Sequence, residues 1–112
     1  MTAGPDVRLV TTETIPGEQI RLGALVTACA VTGANVLRDV REAITNTVGG
    51  NMTRYERVLD DTLQRALDTL QEKARAAGYD GVVGVRVSHP VITDGAIEVV
   101  VTGTGYWAEQ GR

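Results

Sequence analysis

From Gln19 to Val31 the chain alternates. Ile20, Leu22, Ala24, Val26 and Ala28 fall on one side, and Gln19, Arg21, Gly23, Leu25, Thr27 and Cys29 on the other. A two-residue period belongs to a strand with one face on the core. Leu25 interrupts the polar side and predicts partial cover there, for example by another subunit. A shorter β-rich run, Val7–Thr12, precedes it. Between them Pro16-Gly17 suits the centre of a type II turn. Farther on, Gly81–His89 and Ala96–Tyr106 are two more strand runs, with the hairpin signal Thr93-Asp94-Gly95 between them. In the last run Ile97, Val99 and Val101 face one way, and Glu98, Val100, Thr102 and Thr104 the other. Gly103 and Gly105 predict a bulge or a close backbone approach.

Between the strand pairs the period lengthens. Leu37, Val40, Ile44 and Val48 form a stripe at helical spacing, with Asn35 as its N-cap and Gly49-Gly50 as its stop. Thr53 and Glu56 match a capping box. Tyr55, Val58, Leu59, Thr62, Leu63, Ala66, Leu67, Leu70, Ala74 and Ala77 then repeat at three- and four-residue steps. Arg57–Asp61 and Asp61–Arg65 stand as opposite charges one turn apart. Gly78 closes this long helix. The order is ββααββ. It predicts an α+β domain with one antiparallel or mixed sheet, covered on one face by a long helix plus a shorter helix. Both strand pairs have turns suited to hairpins. The sheet's other face is then left to solvent or to neighbouring copies.

Composition narrows this picture. The chain has 112 residues, no Phe, one Trp and three Tyr. So few large rings predict a thin core completed between subunits. Residues 1–6 and 108–112 are predicted as loose ends around a single 7–107 domain. The net charge of -3 argues against a general nucleic-acid binder, which needs a basic footprint. No apolar run is long enough to span a membrane. The first ten residues lack a signal-peptide layout, so the expected location is cytoplasmic.

Candidate chemistry is sparse. Cys29 and His89 are the soft and imidazole ligands, and each is alone locally. A structural zinc site wants four N/S ligands and a soft-metal trap wants paired thiolates. A free cysteine in a strand is ordinarily a small buried hydrophobe, and His89 beside Pro90 reads as a solvated loop residue. The sharper alternative is a metal shared by Cys29 and His89 across subunits. Nothing matches a nucleophile elbow or a phosphate loop. The charges Arg38, Asp39, Arg41, Glu42, Arg54 and Arg57 fit a solvated helix face. They also allow a site in which Arg38 and Asp39 are partly buried near Gly49-Gly50. Arg38, Arg54 and Tyr55 would then line a subunit boundary or an anion site.

The residues Gly33-Ala34-Asn35-Val36-Leu37-Arg38-Asp39, then Val48-Gly49-Gly50, Tyr55-Glu56 and Ala74–Gly84 together resemble the YbjQ family, labelled "putative heavy-metal-binding". The likeness runs in order and spacing from Gln19 to Trp107. It departs at Asn51-Met52-Thr53, where members usually carry a basic residue and a glycine, at Gly81, where Ala is usual, and at Arg86, where an acidic residue is common. The resemblance implies a dodecin-subunit-like fold assembled as a ring, typically a pentamer. The expected function is a non-enzymatic homo-oligomer. Its small molecule or ion would sit at subunit interfaces near Asn35, Arg38, Asp39, Gly49, Gly50, Arg54 and Tyr55. Two alternatives are a heavy-metal module, taking a divalent metal as cofactor on Cys29 and His89, and a ring scaffold for a protein partner.

Overall fold

A computed structural model describes residues 6–36, 38, 52–92 and 94–109. Strands β1 (Arg8–Leu9), β2 (Ile20–Thr32), β3 (Gly81–Ser88) and β4 (Ile97–Ala108) form one sheet in the order β1, β3, β4, β2. A helix of 25 residues, Met52–Ala76, packs across one face. Residues 34–36 and 38 are also helical, and the stripe expected from Leu37 to Val48 lies outside the described residues. The α+β class and the mixed sheet are as expected.

The pairing differs from two hairpins. β3 and β4 are antiparallel neighbours, but β1 runs parallel to β3, and β2 pairs with β4 on the far side. The Pro16-Gly17 turn does form, with Gly17 at φ 80° and Glu18 N–H donating to Ile15 O at 3.0 Å. It turns the chain without pairing the strands on either side of it. The segment after β1 crosses the sheet instead and seats Ile15 against Val83 and Tyr106. Part of the face expected to need neighbours is therefore covered by the chain itself.

Two bulges set the side-chain phase. Leu22 faces Tyr106 while Leu25 faces Thr104, so three steps along β2 match two along β4. On β3, Val83 faces Thr104 while Arg86 faces Thr102. Gly84 supplies φ 63° inside the second bulge, a left-handed conformation that favours glycine. The expected alternation on β2 therefore holds only past the bulge, where Val26, Ala28 and Ala30 enter the core. Leu22, expected in the core, is exposed on the other face. The extra residue has flipped it.

The main core joins Val26, Ala28, Ala30, Val82, Val85, Val99 and Val101 to Ala66, Leu70 and Ala74 of the helix. Burying Leu70 alone contributes roughly 1.5–3 kcal/mol. The helix ends in a Schellman motif. Tyr79 N–H bonds to Ala74 O and Gly78 N–H to Arg75 O, both at 3.0 Å, with Gly78 at φ 87°. The start of the helix is displaced, since Met52 is already helical one residue before the expected cap Thr53. Neither expected ion pair on the helix forms. The salt bridges among the described residues are Arg8–Glu18 and Arg75–Asp6.

The Schellman turn throws Tyr79 back onto the sheet. Its ring covers Gly23 and Gly105, and its hydroxyl accepts the Ala24 N–H at 2.8 Å. Trp107 leans on it at 4.8 Å, and the Arg21 guanidinium lies 4.2 Å from the Trp107 ring. Trp107 and Ala108, expected at or beyond the domain's end, are strand residues, and Asp80 Oδ2 accepts the Ala108 N–H at 2.7 Å. A side chain at residue 105 would enter the space of the Tyr79 ring. Gly105→Ala should lower the unfolding free energy by about 1–3 kcal/mol, the usual cost of overpacking. Urea denaturation followed by Trp107 fluorescence measures it.

Candidate functional site

Of the residues expected to form a site, Asp39, Gly49 and Gly50 lie outside the described residues. Asn35, Arg38 and Arg54 are exposed. Arg38 donates to Asn35 Oδ1, so Asn35 accepts from a side chain one turn on and stands within the helical residues, not at their cap. Arg38 is not partly buried, as the sharper alternative required. Tyr55 is half-buried and packs against the main core. Each visible member is thus explained as helix surface or core edge.

Three hollows are better formed. The first, of 420 Å³, lies on the sheet face away from the long helix and is lined by Glu13, Leu22, Val83, Gly84, Arg86 and Thr104. Arg86 is largely occupied there. Its Nη1 donates to Thr11 O at 2.8 Å and Val85 O at 3.1 Å, tying the crossing segment to β3. The second, of 280 Å³, is on the same face, with Cys29, Val31, Pro90, Ile92, Glu98 and Val100 among its walls. It is mostly apolar. Glu98 is 8% exposed and its Oε1 accepts the Ile92 N–H at 3.0 Å, so one job of this buried carboxylate is to fold the 89–96 loop over the sheet. The third, of 380 Å³, is lined by Glu56, Leu59, Asp60 and Leu63 of the helix and by His89.

Cys29 is exposed, not the buried hydrophobe expected. Past the bulge its side chain alternates with the core residues Ala28 and Ala30, so it faces outward. His89 is exposed as expected, but it lines the helix-side hollow, and Cys29 lines the one on the opposite face. Among the described residues no three His, Cys, Asp or Glu side chains are close enough to hold a metal. The described residues of one chain therefore do not by themselves form the heavy-metal site that the family label implies.

Sequence reasoning placed Leu25 on this outer face and expected cover there, but it missed Leu22, which it assigned to the core side. Leu22 is 59% exposed and Leu25 72%, and both belong to the outer face along with Val31. The bulge brought Leu22 and Leu25 together, and no periodicity rule places a bulge at one residue. Buried polar groups elsewhere are satisfied. Thr62 Oγ1 donates to Val58 O and shares a hydrogen bond with Thr32 Oγ1, which also accepts from Arg65.

Residues 7–109 match the YbjQ family model described as "Putative heavy-metal-binding". A UPF0145 protein of Halobacterium salinarum is 40% identical over 100 residues, covering 88% of this chain and 95% of that protein. A UPF0145 protein of Bacillus cereus is 34% identical over 97 residues, covering 86% and 94%. A crystal structure from Pediococcus pentosaceus, of a DUF74-family protein with unknown function, superposes with a TM-score of 0.64 at 15% identity. It covers 92% of this chain and 98% of that one, and at that identity it speaks for the fold alone. The chain belongs to the YbjQ family.

Tyr106, under the crossing segment, has its phenol pKa raised. Burial is the main cause; Glu18 and Asp80 add to it, and Arg8 opposes it. The fold thus favours the neutral phenol. Stability should be full below the ordinary tyrosine range near about 10 and fall as pH rises from there through the raised value. Tyr106→Phe should flatten that decline, read from urea midpoints at stepped alkaline pH. An equal slope in both proteins would rule out this contribution.

Proposed function

We propose that this YbjQ-family chain is a non-enzymatic homo-oligomeric binding protein, five copies being the favoured ring. Its copies meet through the outer sheet face and hold a small molecule or ion in the hollows closed there. One observation carries this reading: the outer face is apolar and bare where the helix face is filled. Leu22, Leu25 and Val31 are exposed on it. Isolated exposed apolar residues are ordinary, but three along one strand on the same open sheet face fit an interaction site.

Two hollows open on this face, one with the Cys29 thiol and the Glu98 carboxylate in its wall. A neighbour laid over it would enclose them. Binding, not turnover, is the activity proposed.

The heavy-metal module has one observation in its favour, the exposure of the Cys29 thiol. Its second ligand would have to come from another copy.

Sedimentation and native mass spectrometry should give a mass several times 11.9 kDa, with five copies expected. Leu25→Glu should dissociate the assembly while leaving the circular dichroism of the fold intact. A wild-type monomer, or a Leu25→Glu variant of unchanged mass, would exclude the outer face as the interface. Titration with cadmium should show no stoichiometric binding to the Leu25→Glu monomer. Tight binding to the wild type that vanishes in Cys29→Ala would establish the metal module in its place.

A further inference from the structure

β2 ends the sheet order, so among the described residues no strand lies along one edge of this 13-residue strand. A bare edge of that length is a template for another strand. Backbone parity identifies the groups it presents. Asp80 N–H bonds to Tyr106 O at 2.8 Å, and Glu109 N–H to Gln19 O at 2.9 Å. Even-numbered residues of β4 therefore bond toward β3 and odd-numbered ones toward β2. Because Ala28 faces Val101 and Ala30 faces Val99, even-numbered residues of β2 past the bulge are taken up by β4. Thr27, Cys29 and Val31 turn their N–H and C=O groups outward.

Two of those three carbonyls are occupied by the long helix. Lys73 Nζ donates to Thr27 O at 3.0 Å. Arg65 Nη2 donates to Val31 O at 3.3 Å and to Thr32 Oγ1 at 2.8 Å. The spacing is commensurate: eight helical residues rise about 12 Å, and four strand residues about 13–14 Å. The occupied carbonyls also lie symmetrically about Cys29. If β2 of two copies paired antiparallel around a two-fold axis at Cys29, each Cys29 would exchange both backbone bonds with its counterpart. Thr27 of one copy would exchange with Val31 of the other. The acceptors needed for those flanking bonds are the two held by Lys73 and Arg65.

We propose that Lys73 and Arg65 guard the β2 edge against pairing with β2 of a second copy. They engage the acceptors on both sides of Cys29, so a pairing strand would have to share or displace them. They also line the edge with positive charge, which two approaching copies would bring face to face. The occupant kept out is a second copy, because the centre of symmetry falls on a residue of the strand itself. This inference rests on contacts within one chain and stands whether or not the outer face is an interface.

Paired at Cys29, the two Cα atoms would be about 5.5 Å apart, within disulfide range. The full-length protein and its Lys73→Met, Arg65→Met and double variants are treated with diamide, which takes up the two electrons and two protons released as the thiols join. Met keeps an apolar stem on the helix, and thermal melts verify folding. The double variant should form the disulfide-linked dimer about ten-fold faster than wild type, roughly one net hydrogen bond's worth of association free energy. Amide exchange at Thr27, Cys29 and Val31 should slow in parallel. Lys73→Arg should behave as wild type. A folded double variant with wild-type rates of cross-linking and exchange overturns the proposal. If Arg65→Met does not fold, Lys73→Met alone should still cross-link faster, and no increase overturns the proposal equally.

Discussion

The two bulges opposite Gly105 and Gly103 decide which residues this sheet buries. Each strand flanking β4 gains one residue on it, β2 opposite Gly105 and β3 opposite Gly103, and a one-residue shift exchanges the faces of everything that follows. Past the bulge, β2 delivers Val26, Ala28 and Ala30 to the helix. Before it, Arg21 and Gly23 lie on the helix side, which leaves the room that Tyr79 fills. Gly84 makes the β3 bulge possible through its backbone, and Gly103 faces the Val82 side chain too closely to carry one of its own.

From this phase follows an unequal division of apolar surface. The helix face is saturated: Ala66, Leu70 and Ala74 are fully buried, as are Val82, Val99 and Val101. Among the described residues the buried cluster of the other face is Ile15, Val83 and Tyr106 at one end, under the crossing segment. The rest carries Leu25 and Val31 into solvent. A thin core of Val and Ala with few rings cannot fill both sides. The edge of β2 is treated differently from the face. Its outward carbonyls meet Lys73 and Arg65, so the chain screens backbone groups while leaving side chains bare.

The candidate site was much less legible than the fold. Asn35, Arg38 and Arg54 drew attention because charged residues crowd between two helices, yet those seen are exposed, and Arg38 is paired with Asn35 one turn away. Cys29 was read as buried from the habits of free cysteine. The alternation had already set it on the face opposite Ala28, and its exposure follows from that face being open in the described residues. Glu98 looked like a surface position on an alternating strand. Its carboxylate accepts the Ile92 N–H of the chain leaving β3, and a loop's path is not written in periodicity.

The sequence by itself determined the elements. The long helix with its Gly78 stop, the alternation of β4, the Pro16-Gly17 turn and the Asp94-Gly95 return all rest on interactions within a few residues, which local spacing encodes. Partner choice among strands was decided only in the tertiary structure. β1 beside β3, β2 beside β4, and the side taken by Leu22 depend on contacts between residues up to about ninety positions apart, such as Thr11 O with Arg86 and Gln19 O with Glu109. Those contacts compete with hairpins that the same turns would have allowed. The competition is settled by how the helix, the crossing segment and the two bulges pack together.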